Sequence, residues 1–101
     1  MTYKPEESLE ALIEMGSKGH YPLFYDEWLK MPFIKHKNFF KLTGTERTRA
    51  KKLFALISKH KRIEHKRTII SAFEQKDREL FIKAFMNLVQ SKAINHNHII
   101  Q

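Results

Sequence analysis

The sequence predicts an all-α fold: a compact bundle of four to five short and medium helices forming a single domain. Three observations point there. Apolar residues recur at i, i+3, i+4 spacing in several segments, the signature of helices with one buried face. Only three Gly and three Pro occur in 101 residues, too little turn punctuation for a sandwich or barrel of short strands. Hydrophobic residues make up 42% of the chain and twelve residues are aromatic, enough for one core in a chain that buries roughly 60 to 65% of its unfolded surface.

The first helix is signalled by Pro5 in a first-turn position, by Glu6 and Glu7 complementing the helix dipole, and by Leu9, Leu12 and Ile13 on one face. Gly16 and Gly19 are expected to end it. Pro22 can open a short helix in which Leu23 or Phe24 pairs with Trp28 a turn later. A third helix is expected from Pro32 to Leu42, carrying Phe33, Phe39 and Phe40, and closed by Thr43-Gly44-Thr45.

Thr45 is the expected N-cap of the next helix, where Ala50, Leu53, Phe54 and Ile57 repeat through about Lys61 and Lys51, Lys52 and Lys59 fall opposite. A link, Arg62-Ile63-Glu64-His65, leads to a shorter helix with Ile69, Ile70 and Phe73. The last helix runs from Asp77 as N-cap to about Lys92, with Leu80, Phe81, Ala84, Phe85, Leu88 and Val89 as a wide apolar stripe. The expected core is Leu53, Phe54, Ile57, Ile69, Ile70, Phe73, Phe81, Phe85 and Leu88. The domain spans residues 1–94, with 95–101 as a flexible C-terminal tail.

Charge is distributed unevenly. The net value is +8, yet residues 1–30 hold three Lys against six acids, an excess of −3. Residues 31–70 hold twelve basic residues against Glu46 and Glu64 alone, an excess of +10. Four of the five arginines, Arg47, Arg49, Arg62 and Arg67, lie within 21 residues. Clustered Lys and Arg reward a phosphate backbone, because each neutralised phosphate releases condensed counterions and Arg can fork onto phosphate oxygens.

Other chemistry is thinly represented. Cysteine is absent, which removes disulfides, thiolate metal sites and thiol nucleophiles. The histidines lack metal-ligand spacings such as His-Glu-x-x-His, so neither a metal nor a cofactor is expected. No Gly-rich phosphate loop, Gly-x-Ser-x-Gly elbow or dinucleotide fingerprint occurs, and no nucleophile, base and stabilising group can be named together. The N-terminus lacks a basic region followed by an apolar stretch, and the longest apolar run, Leu53 to Ile57, cannot span a bilayer. A cytoplasmic protein with no membrane partner is expected.

Two functional readings follow. The favoured one is a regulatory, non-enzymatic domain that binds nucleic acid, DNA or RNA, with Arg47, Arg49, Lys51, Lys52, Arg62, Lys66 and Arg67 contacting phosphates. One version of it is a helix-turn-helix from His36 to about Leu56, turning at Gly44. The alternative is a small adaptor or inhibitor that binds another protein through its acidic first helix, the aromatic segment around Tyr25 and Trp28, or its basic face. Seven of the twelve aromatics fall between Tyr21 and Phe40. The opposed charges of the N-terminal third and the middle also allow a homodimer.

Overall fold

Ser8 starts the described chain and already does structural work: its hydroxyl accepts the Ala11 N–H at 3.1 Å and caps helix α1, Leu9–Ser17. The computed structural model describes residues 8–29 and 41–100, with side chains as far as Lys92. Beyond α1 it contains α2, Asp26–Leu29; α3, Gly44–Ser58; α4, Ile63–Ala72; and α5, Gln75–Ile100. There is no strand among the described residues. The all-α bundle is therefore the fold, and its Cα radius of gyration of 13.6 Å is close to the ~13 Å of a compact 100-residue domain.

Helix ends follow local chemistry. α1 closes with a Schellman arrangement, in which the Gly19 N–H donates to the Gly16 carbonyl and the His20 N–H to the Met15 carbonyl. Gly19 supplies the positive φ of 86° that this turn requires. Gly16, expected as a terminator, lies inside the helix. A Cβ there would come within 2.8 Å of Val89 Cγ2 and 3.0 Å of Tyr21 Cε1, so the missing side chain is what lets α1 settle onto α5.

Three expected boundaries are corrected. The N-cap of α3 is Thr43, not Thr45, because the Thr43-x-x-Glu46 pair completes a capping box. α5 begins two residues before Asp77, which sits in the first turn. The same helix continues to Ile100, so the backbone of the expected tail is helical past Lys92. Lys41 and Leu42 are not helical. The expected first-turn residues Pro5, Glu6 and Glu7 lie outside the described residues. So do Phe33, Phe39 and Phe40 of the expected third helix, and with them the first half of the helix-turn-helix.

The core gathers around Phe81, which is fully buried. Its ring lies 4.7 Å from Phe54, 6.1 Å from Phe24, 6.3 Å from Phe85 and 6.4 Å from Phe73, centroid to centroid. Leu53, Ile57, Ile70 and Phe85 are buried as expected, and Phe54, Ile69 and Phe73 pack against them half-buried. Leu88 is corrected: it is 42% exposed. Leu12, Leu23, Phe24, Trp28, Ile82, Met86 and Val89 join the core in addition. α1 packs chiefly on α5, and α3 packs on α5 and α4.

Candidate nucleic-acid interface

α3 is fixed to the rest of the molecule at its N-terminal end. The Thr43 hydroxyl accepts the Glu46 N–H at 3.1 Å, and the Glu46 carboxylate accepts the Thr43 N–H at 2.9 Å. Such a cap is worth about 1 kcal/mol. Lys83 of α5 donates to both Glu46 oxygens at 3.3 Å. The Thr43 N–H holds the Glu46 carboxyl below its ordinary range, and Lys83 adds to the effect. One turn on, the Arg49 guanidinium forks onto Asp77, Nε to Oδ1 at 3.2 Å and Nη2 to Oδ2 at 2.7 Å.

That fork lowers the Asp77 pKa, the hydrogen bonds from Arg49 outweighing the opposing effect of partial burial. A carboxylate whose folded pKa is depressed contributes stability above its unfolded pKa and loses it as pH falls through the folded one. Wild type should therefore exceed Asp77→Asn in thermal stability near neutral pH, and the gap should close as pH falls below the ordinary carboxylate range. Melting curves of both proteins across that range test this. A gap that persists or widens in acid would contradict the ion pair.

With Glu46 and Arg49 committed to α5, the outer side of α3 has a simple composition. At 100° per residue, Arg47, Thr48, Lys51, Lys52, Ala55, Ser58 and Lys59 fall within an arc of about 140°. All seven are exposed. Four are cationic and none is acidic. The hydroxyls of Thr48 and Ser58 turn back onto the carbonyls of Gly44 and Phe54. Small side chains thus separate long basic ones, and none of the four cations has an acidic partner among the described residues.

The other expected phosphate contacts are placed elsewhere. Arg49 is held by Asp77. Arg62, exposed, is the N-cap residue of α4. The Arg67 guanidinium lies 5.2 Å from the centroid of the Tyr25 ring, a cation–π contact on the α2 side. Lys66 is corrected outright: it is 1% exposed, and its Nζ donates to the His60 carbonyl. An ammonium turned inward onto the α3–α4 link cannot reach a phosphate.

No known protein family, curated protein or solved structure matches this chain.

The residues expected at a protein interface also divide. Trp28 is corrected, being 8% exposed. Its ring stands edge-on to Phe24 at 6.4 Å and to Tyr25 at 4.7 Å, with the Arg78 guanidinium 5.6 Å from its centroid. Tyr25 stays 43% exposed. In the acidic first helix, Glu14 pairs with Lys92 of α5 at 3.1 Å. Among the described residues no three His, Asp or Glu side chains converge as metal ligands, and no helix is long and apolar enough to cross a membrane.

Lys59 joins the basic arc, where its spacing places it opposite the apolar stripe, although it is not among the expected phosphate contacts; a cleft beside that arc escaped the sequence reading. It measures about 400 Å³ and opens between α3 and α5, lined by Leu42, Ala50, Phe54, Ala84 and Leu88, with Arg47, Lys51 and Asn87 at its edge. Its signal was the pairing of two stripes, 47/50/51/54 and 84/87/88, each at helical spacing.

Proposed function

We propose that this protein is a non-catalytic, regulatory domain of the cytoplasm that binds nucleic acid through the outer side of α3. The observation that carries the reading is the acid-free arc of Arg47, Lys51, Lys52 and Lys59 on one rigid helix. Four cations held at fixed spacing by a packed helix meet a phosphate backbone with little ordering cost, and the small residues between them allow close approach. The protein-partner alternative has less support: Trp28 lies in the core and Glu14 is in an ion pair, which leaves Tyr25 as its exposed aromatic among the described residues.

A salt titration of binding to short labelled oligonucleotides tests the reading. Affinity should fall steeply with salt. Replacing all four cations by Gln should flatten the slope of log K against log salt by about 3, since each phosphate contact contributes roughly 0.7 to 0.9. Lys18→Gln with Lys76→Gln, away from the arc, should leave the slope unchanged. Absence of binding at low salt, or equal sensitivity to both sets of substitutions, would overturn the reading.

A further inference from the structure

The cleft beside the basic arc has a composition that charge alone does not explain. Ala50 and Ala84, both at most 5% exposed, line it from α3 and α5, and their small side chains leave room that larger ones would fill. The half-buried Phe54 ring and the exposed Leu88 side chain form its walls. At the lip stand two cations, Arg47 and Lys51, and one amide, Asn87. No acidic residue lines it.

We infer that this cleft receives an unpaired base of single-stranded nucleic acid, with Arg47 and Lys51 on the phosphates that flank it. The inference rests on the nucleic-acid reading and narrows its substrate class. A neutral apolar segment would leave two cations uncompensated at the lip, whereas a nucleotide brings an apolar ring and adjacent negative charge together. Aromatic and aliphatic walls suit the base's faces. About 400 Å³ admits a base with part of its sugar. In a duplex the bases are stacked and paired, so none is available to enter without being extruded.

Oligonucleotides of equal charge that differ in their bases separate this from simple phosphate attraction. Fluorescence anisotropy would compare a labelled 12-nucleotide single strand, as DNA and as RNA, with an abasic strand of the same length and with a duplex. The base-bearing strand should bind at least about tenfold more tightly than the abasic one. Leu88→Ser with Asn87→Ala changes the wall and lip without altering charge. It should abolish that difference while leaving abasic affinity and salt slope as in wild type, with folding verified by circular dichroism. If base-bearing and abasic strands bind alike with a steep salt slope, the cleft inference falls and the basic arc stands. If no oligonucleotide binds, both fall. A base preference that survives the double variant, or sedimentation showing that the cleft is closed by a second copy of the chain, would also overturn the cleft as the site.

Discussion

Phe81→Ala is expected to lower the free energy of unfolding by about 3 to 5 kcal/mol, the range for deleting a buried aromatic ring from a core that collapses only partly around the gap. The magnitude follows from the ring's position. Phe81 is fully buried and is the residue at which Phe24, Phe54, Phe73 and Phe85 meet. Those neighbours come from α3, α5, the segment before α2 and the end of α4, so no single helix can shift to fill the space. A domain of this size has a total stability of about 5 to 15 kcal/mol, which places the variant close to unfolding at room temperature. Denaturant titration should show a large fall in the midpoint with little change in slope. A loss below about 1 kcal/mol would mean that the cluster is not the centre of the core.

Lys66 should show a graded response that depends on what replaces it. The ammonium is buried and donates to the His60 carbonyl just past the end of α3, tying the α3–α4 link to the body of the protein. Lys66→Met keeps most of the volume but removes that donor from a partly buried acceptor, a change worth about 1 to 3 kcal/mol. Lys66→Glu places a carboxylate against a carbonyl in the same enclosed position, and about 3 to 5 kcal/mol should be lost. Chemical denaturation of the two variants beside wild type measures the difference. Near-equal stability of Lys66→Glu and wild type would show the side chain to be solvent-facing.

How much of this was legible in the sequence depends on the kind of fact. The aromatic and aliphatic spacing of the last helix read correctly because 3.6-residue periodicity is a local property. Its phase was less accurate. Phe81, Ile82, Phe85, Met86 and Val89 form the buried face, which turns Leu88 outward by more than a simple list of apolar positions suggests. Thr43-x-x-Glu46 is a readable capping box, obscured by Gly44, which in the sequence resembles a turn. Gly44 is the first residue of α3 and lacks the positive φ seen at Gly19, so that glycine does not mark a break. Lys66 sits three residues after Ile63 and four before Ile70, in phase with the buried face of α4, yet its charge argued for solvent. Trp28 shows the converse: its acidic neighbours point to a wet surface, yet it is buried. In a helix of four residues Asp26 and Glu27 can be exposed while the next side chain is enclosed. Helical spacing alone groups Arg47 with Lys51, Lys52 and Lys59 and turns Arg49 away from them, whereas the placing of Arg67 against Tyr25 depends on tertiary packing that proximity in the chain does not convey.

The packing of α1 against α5 also bears on how the chain reaches its native state. α3, α4 and α5 follow one another closely, so their mutual contacts form across short loops. Gly16 meets Val89 only after more than seventy intervening residues have been drawn together, a closure whose entropic cost grows with the length of the loop. The first helix is thus expected to dock late in folding and to leave early in unfolding. Substitutions at Leu12 or Gly16 are consequently expected to speed unfolding more than they slow folding.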